Sequence, residues 1–314
     1  MSDMREAEDQ MIAEALNGIA GYSPKPLFIV GSPRTGSTIC YQASIEYFGF
    51  QYFSNVVNSH FSTTPLLGLL LHSGRRGIKE LSFTSAFGKT SGLFAPSEAS
   101  AVMANWFGGG HPSQTVSATV LPGKAGHLHA VMAAAEILVG TPVVTKNAWN
   151  CFRISSIAEA LPEARFLWIR RDIAASAKSD LHARYVVQGT PDVWNSATPA
   201  NVDALRRKPY WEQVVENQFE FAQAISAAGS RLASERFTEV WYEDLCGDPE
   251  GELAAAGMRL GYPVEGKRLP AGFSIAPSRD AARLSPDDAA AIDRYVLQHK
   301  QRFDPLRREP ASGS

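Results

Sequence analysis

The stretch Pro26-Leu27-Phe28-Ile29-Val30-Gly31-Ser32-Pro33-Arg34-Thr35-Gly36-Ser37-Thr38 decides the fold of this chain. Leu27 to Val30 is a short apolar run bounded by Pro26 and Gly31, which reads as a buried strand. A turn rich in glycine and hydroxyl residues follows. Ser37 to Phe48 then reads as a helix whose N-terminus points at whatever the turn holds. Laid over the nucleotide-triphosphatase pattern G-x-x-x-x-G-K-(S/T), Gly31 and Gly36 fall in register and Thr38 supplies the hydroxyl, but Ser37 stands where the lysine belongs. The cation of this turn is Arg34, three positions earlier. A triphosphatase sets that lysine on the β- and γ-phosphates, beside a magnesium ion held by the loop hydroxyl and a downstream aspartate. This turn is built for a different anion. Converging amides and a helix N-terminus worth about half a positive charge attract it, and Arg34 adds a full charge. A tight turn that needs glycine for its backbone angles is the plainer alternative.

Working outward, strand and helix signals alternate. An amphipathic leader helix is expected over residues 5–19, within a leader of residues 1–24. Residues 49–126 read as a looser insertion, with helical spacing returning only around Glu98 to Trp106; such insertions often carry substrate contacts. Helices are then expected over His127 to Val139, Ile154 to Ala160, Asp172 to about Val186, Pro209 to Ala228 and Pro249 to Leu260. Strands are expected over Pro142 to Thr145, Arg165 to Ile169 and Arg236 to Trp241. This alternation predicts an α/β fold with a mainly parallel central sheet flanked by helices. No linker divides residues 1–314, so a single domain is expected, with a disordered tail at 309–314.

Of the 314 residues, 45% are hydrophobic and 20% charged, and the formal charge is −2, which points away from a nucleic-acid partner. Any anion site must therefore be local. Cys40, Cys151 and Cys246 are widely separated and lack metal-ligand spacing, so neither a disulfide framework nor a zinc site is expected. The acidic start lacks a secretory pattern, and no apolar run approaches the roughly 18 residues of a membrane span. A cytoplasmic protein with no integral membrane segment is expected.

A second element is Phe166-Leu167-Trp168-Ile169-Arg170-Arg171-Asp172, followed by Ser176 and Ser179 on the next helix. Where a triphosphatase strand would end in an acid for magnesium, this one ends in two arginines, which disfavours a metal. Arg171 and Ser179 can share one side of the helix and hold a second phosphate. Surface charges beside a helix-facing serine are the alternative.

Together these elements resemble the sulfotransferases that use 3′-phosphoadenosine 5′-phosphosulfate (PAPS), with the overall pattern closest to the bacterial branch. That superfamily's first loop is often written P-(K/R)-(S/T)-G-(S/T)-(S/T), which Pro33-Arg34-Thr35-Gly36-Ser37-Thr38 matches; an arginine with a serine eight residues on matches Arg171 and Ser179. A third match is Val240-Trp241-Tyr242-Glu243-Asp244-Leu245 with Asp248-Pro249. The resemblance runs from about Pro26 to Gly261. It implies that Ser32, Pro33, Arg34, Thr35, Gly36, Ser37 and Thr38 hold the 5′-phosphosulfate, Arg171 and Ser179 the 3′-phosphate, and that Tyr242 lies near the adenine. The cytosolic animal branch has a tryptophan after the loop where this chain has Ile39, and an R-K-G-x-x-G motif absent here. Ser278 with Arg279 or Arg283 is the candidate substitute for that motif.

Sulfuryl transfer is an in-line displacement in which the departing bridge oxygen gains charge. The sulfuryl group carries one negative charge where a phosphoryl carries about two, so fixed cations and amides suffice without magnesium. Arg34 is expected on the leaving oxygen. Lys146, in Val143-Val144-Thr145-Lys146-Asn147-Ala148, resembles the family's K-T-H or K-x-P segment, but Ala148 stands in place of the animal enzymes' basic histidine. The base must lie elsewhere. Glu98, at the start of a helix in the insertion, resembles a P-x-E segment of some bacterial members and is the first candidate. His60 is the rival. His127 and His129 read as helix-start residues. The acceptor, a small molecule, sugar or lipid offering a hydroxyl or amine, stays open, as do the oligomeric state and two other readings: a kinase-like phosphotransferase that lost its lysine, and a noncatalytic nucleotide-binding module.

Overall fold

The computed structural model describes residues 2–19, 21–74, 81–83, 90–109, 118–195, 197–278 and 280–308, so Arg279 and the 309–314 tail lie outside the described residues. The N-terminal helix α1 (Ser2–Leu16) precedes β1 (Leu27–Val30), and the glycine turn leads into α2 (Ser37–Phe48) and the short β2 (Gln51–Tyr52). Next come α3 (Asn55–His60), α4 (Pro65–Ser73), α5 (Ser100–Phe107), α6 (Ala125–Val139) and β3 (Val143–Lys146). A 3₁₀ turn (Ala148–Phe152) joins β3 to α7 (Ile154–Ala160), followed by β4 (Arg165–Arg170), α8 (Ile173–Gln188), α9 (Val202–Leu205) and α10 (Tyr210–Gly229). The chain then runs through β5 (Phe237–Trp241), α11 (Tyr242–Gly247), α12 (Pro249–Arg259), a 3₁₀ turn (Asp280–Arg283), α13 (Pro286–Gln298) and α14 (Lys300–Phe303).

Helices α3 and α4 fill part of the stretch whose spacing showed only one helix. In α4, Pro65 at the first position starts the helix, and its remaining residues are apolar on several sides, so no amphipathic period marks it. Gly68 packs so tightly on Val57 and Phe61 that an added Cβ would come within 2.8 Å of both side chains. Among the described residues, no helix is long and apolar enough to cross a membrane.

The sheet has five strands in the order β2-β3-β1-β4-β5, every pair parallel. Alternation along the strands divides the core into two layers. Phe28, Val30, Val143, Phe166 and Trp168 face one layer with α6, α7 and α10; Leu27, Ile29, Val144, Leu167 and Ile169 face the other with α2 and α12. The register sets Phe28 beside Phe166, whose rings stack at 5.5 Å, a pair worth about 0.5–1.5 kcal/mol beyond its buried area. Central strands covered on both faces need apolar residues at every position, which is why Leu27 to Val30 reads as an unbroken run. Because the strands are parallel, β1, β3, β4 and β5 all end on one edge. Ligands of open α/β sheets bind at that edge.

Candidate active site

Each of those strand ends delivers one of the residues singled out by sequence. β1 ends at Gly31 and its turn; β3 ends at Lys146, whose Cα pairs with Ile29; β4 ends at Arg170, one residue before Arg171; β5 ends beside Tyr242.

The turn is held from below by contacts that sequence reading did not find. Cys151, buried in the 3₁₀ turn after β3, accepts from Gly31 N–H and donates to Gly31 O, each at 3.3 Å. Burial pushes its thiol up to about 12, so it stays protonated and can make both bonds. Gln218 on α10 donates to Pro33 O at 3.1 Å. Within the turn, Thr35 Oγ1 donates to Ser32 O at 2.8 Å. Ser32, Pro33, Thr35, Ser37 and Thr38 are all buried. Gly36, at φ 86°, is the N-cap of α2 and has no side chain to occupy that helix's first amides.

Arg34 is itself left-handed, at φ 72°. Its side chain leaves the turn toward α8, where Nε donates to Ser179 Oγ at 3.1 Å and Nη2 meets Asp280 Oδ2 at 2.6 Å. The Ser179 hydroxyl donates to the same Asp280 oxygen at 3.0 Å. Burial raises Asp280, but the bonds from Arg34 and Ser179 outweigh it and hold the carboxyl below its ordinary value. Arg34 and Ser179, 145 residues apart in sequence, thus converge on one point. Asp280 carried no sequence signal.

The two arginines after β4 have separate fates. Arg170 pairs with Glu239 at 2.9 Å and lies over the rings of Trp168 and Trp241, which ties it to β5. Arg171 instead turns inward: Nη1 donates to Arg34 O at 2.9 Å, and its guanidinium sits 4.8 Å from the Tyr242 ring centre. Asp172 caps α8 by accepting from Ala175 N–H at 2.9 Å, which fixes where Ser179 falls on the helix. The Tyr242 hydroxyl accepts from Ser278 N–H at 2.9 Å, and burial pushes it up to about 12. Ser278, one of the candidate substitutes for the missing C-terminal motif, therefore reaches the site through its backbone.

At the end of β3, Lys146 forms an ion pair with Glu98. Glu98 does not start a helix, contrary to the sequence expectation: α5 begins at Ser100, and Ala99 between them is left-handed at φ 53°. That reversal turns Glu98 back toward the sheet edge. Asn147 holds it there, donating to Glu98 O at 2.8 Å while its Oδ1 accepts from Trp149 N–H at 2.9 Å. His60 is the last residue of α3, and it is exposed. No hydrogen bond or ion pair joins it to Arg34, Lys146 or Glu98 among the described residues. His127 accepts from Trp106 Nε1–H at 3.0 Å, a packing role. Among the described residues, no group of three or more His, Cys, Asp or Glu is placed to hold a metal ion.

A family model described as "Sulfotransferase family" matches residues 54–266, more than half the chain. A curated relative, omega-hydroxy-beta-dihydromenaquinone-9 sulfotransferase Stf3, is 31% identical over 122 residues in both Mycobacterium bovis and Mycobacterium tuberculosis. That alignment covers 38% of this chain and only 28% of those relatives' length. Among solved structures, the chain is similar to sulfotransferase STF9 from Mycobacterium avium, at 13% identity and TM-score 0.49, over 95% of this chain and 76% of that one. It is also similar to sulfotransferase STF1 from Mycobacterium tuberculosis, at 16% identity and TM-score 0.49, over 94% and 82% of the two chains.

Proposed function

Since the chain belongs to the sulfotransferase family, we propose that it moves a sulfuryl group from PAPS to the hydroxyl of a small-molecule or lipid acceptor, in a single catalytic unit and in the cytoplasm. The observation that carries the donor assignment is the convergence of Arg34, Ser179, Arg171 and Tyr242, drawn from three strand ends, around the first turn of α2. Ser32, Pro33, Thr35, Gly36, Ser37 and Thr38 form the turn that receives the 5′-phosphosulfate. Arg171 and Ser179 take the 3′-phosphate, and Tyr242 flanks the adenine. Arg34 neutralises charge developing on the bridge oxygen as the bond to sulfur breaks.

Glu98 is the base in this reading and Lys146 its partner. A general base must lie within hydrogen-bonding reach of the acceptor proton, and Glu98, with its side chain 40% exposed at the sheet edge, offers a carboxylate oxygen to an incoming hydroxyl. Lys146 is almost fully buried beneath it and keeps the carboxylate oriented. The curated relatives' name specifies a hydroxylated quinone acceptor for those proteins. For this chain the name supports a hydroxyl on a small or lipidic molecule.

Calorimetry with 3′-phosphoadenosine 5′-phosphate, in the presence of a metal chelator, tests the donor assignment directly. Micromolar or tighter uptake is expected. Absence of uptake, together with magnesium-dependent binding of ATP, would replace this reading with the phosphotransferase one. Uptake without sulfated product from any hydroxylated acceptor would favour the noncatalytic module.

A further inference from the structure

Asp280 engages two groups that the donor reading gives to the nucleotide, Ser179 for the 3′-phosphate and Arg34 for the bridge oxygen. One carboxylate oxygen, Oδ2, accepts both from Arg34 Nη2 at 2.6 Å and from Ser179 Oγ at 3.0 Å, while Arg34 Nε donates to that same hydroxyl at 3.1 Å. The three groups close a triangle whose acceptor corner is a single anionic oxygen. A phosphate oxygen placed there would make the same charge-assisted bonds. The pair is not sealed, since the side chains of Arg34 and Asp280 keep 18% and 20% exposure. An anion from solvent can reach both.

The segment that carries Asp280 is lightly anchored. Asp280 N–H donates to Ser278 Oγ at 3.3 Å, and Ser278 N–H donates to the Tyr242 hydroxyl. Between the buried residues Ile275 and Asp288, none of the residues whose burial is described is buried. Leu284 packs, partly buried, against the core between α8, α10 and α13, while the rest of the segment whose burial is described is exposed or half-buried, as in segments that open at low cost. Among the described residues, the segment's hydrogen bonds to the body of the protein run from Asp280 to Arg34 and Ser179 and from Ser278 to Tyr242. Every one of those partners belongs to the proposed donor site.

We propose that Asp280 is an internal competitor of the donor's 3′-phosphate for Ser179, keeping Arg34 turned toward α8 and away from the bridge oxygen until a 3′-phosphorylated nucleotide displaces it, and returning when the product leaves. This inference rests on the donor reading above. A phosphate monoester carries about 1.5 to 2 negative charges at neutral pH and three acceptor oxygens, so it outbids one carboxylate for the Ser179 hydroxyl and repels that carboxylate from its place. A 3′-hydroxyl brings no charge and leaves Asp280 in place. The device therefore lets the enzyme distinguish nucleotides by their 3′ substituent. It also lowers product affinity, which matters where product release limits turnover. The lowered proton affinity of Asp280 keeps it a carboxylate at neutral pH, as a competitor must be.

The apparent affinity of a site available only part of the time falls by the available fraction, so a contact closed about 90% of the time lowers affinity tenfold. The test titrates the full-length chain and its Asp280→Asn and Asp280→Ala variants with 3′-phosphoadenosine 5′-phosphate and with adenosine 5′-phosphate, and follows nucleotide release by stopped flow. Both variants should bind the 3′-phosphorylated nucleotide at least tenfold tighter and release it correspondingly more slowly, with adenosine 5′-phosphate changed less than twofold. A merely structural role would weaken both nucleotides. Unchanged or weaker binding of the 3′-phosphorylated nucleotide by folded variants overturns the inference and leaves the donor reading standing. Absence of uptake by wild type and variants alike overturns both. Should the variants not fold, a crystal structure of the wild type with 3′-phosphoadenosine 5′-phosphate decides: Asp280 should have left Ser179, and its carboxylate still bonded there beside bound nucleotide refutes the competition.

Discussion

Adding one methyl group at Gly36 measures how tightly the first turn is built. Gly36 has φ 86° and ψ 14°, a left-handed conformation that costs an L-residue roughly 1–2 kcal/mol. The new Cβ would also lie 2.3 Å from Cδ2 and 2.6 Å from Cε2 of Tyr242, where carbon atoms rest at about 3.5–4.0 Å. The ring cannot easily give way. It is 6% exposed, its hydroxyl accepts from Ser278 N–H, and the Arg171 guanidinium lies against its face. Overpacking of this kind adds about 1–3 kcal/mol, so Gly36→Ala should cost roughly 2–5 kcal/mol in all. Gly140 supplies the control, because it has nearly the same φ, 81°, with nothing within 4 Å of an added Cβ. Gly140→Ala should lose only about 1–2 kcal/mol, the backbone share. Urea unfolding of both variants, with unchanged denaturant slopes, reads the difference as the Tyr242 clash. Equal losses in the two variants, or a Gly36→Ala loss below about 0.5 kcal/mol, would show that the turn does not lean on Tyr242.

Other consequences separate the roles of neighbouring residues. Glu98→Gln should lower the chemical step by roughly 10² or more, and His60→Ala should leave it unchanged, in single-turnover assays; the opposite pattern would make His60 the base. Arg171→Ala should weaken binding of 3′-phosphoadenosine 5′-phosphate by about 1.5–3 kcal/mol, the scale of a hydrogen bond to a charged group, and unaltered affinity would remove Arg171 from the site. Acid should detach α13 and α14 from α10. Burial pushes Glu216 up, but bonds from Arg302, Tyr295 and Lys208 more than offset this and hold it at about 2. A depressed carboxylate contributes stability above its ordinary value of 4.5 that fades as pH falls from there toward 2. Wild type should lose stability across that window, and Glu216→Gln should flatten the pH dependence there; an equal slope in the variant would sink the assignment.

The sheet was legible because strands buried on both faces leave unbroken apolar runs, and Leu27 to Val30 and Phe166 to Ile169 are such runs. Their boundaries followed from local chemistry: Asp172 caps α8, and Pro249 opens α12 beneath the Asp248 cap. α4 escaped notice because a helix apolar on several sides has no period to read. The candidate site was legible where one backbone segment presents several groups, as in Pro33 to Thr38. It was illegible where the partner arrives from another part of the chain. Cys151 lies 120 residues from Gly31, and Asp280 lies 246 residues from Arg34. Neither stands in a motif, since a single thiol or carboxylate becomes a partner only once the fold has brought it there. Glu98 shows the intermediate case: its residue type was readable, but its aim depends on the left-handed Ala99, and nothing in an alanine announces φ 53°.

Two of the cations assigned to the proposed reaction come already matched with carboxylates, Arg34 with Asp280 and Lys146 with Glu98. A guanidinium or ammonium withdrawn from water without a partner is costly, and removing the partner of a partly buried charge is costlier than never having built the pair. The pairing offsets the charges of Arg34 and Lys146 within the candidate site itself. It also changes what nucleotide binding means. On the proposed reading, binding exchanges Asp280 for the donor at Arg34, so affinity would report the difference between the two anions rather than the full attraction of the cation. At Lys146 the same reading requires no exchange, because there Glu98 is the proposed base and stays in place. The two pairs should then respond oppositely to loss of their acid: neutralising Asp280 tightens nucleotide binding, whereas neutralising Glu98 leaves binding and removes turnover. A Glu98→Gln variant that bound nucleotide tenfold more tightly would mean that Lys146, too, is held in reserve for the donor, and the base would have to be sought elsewhere.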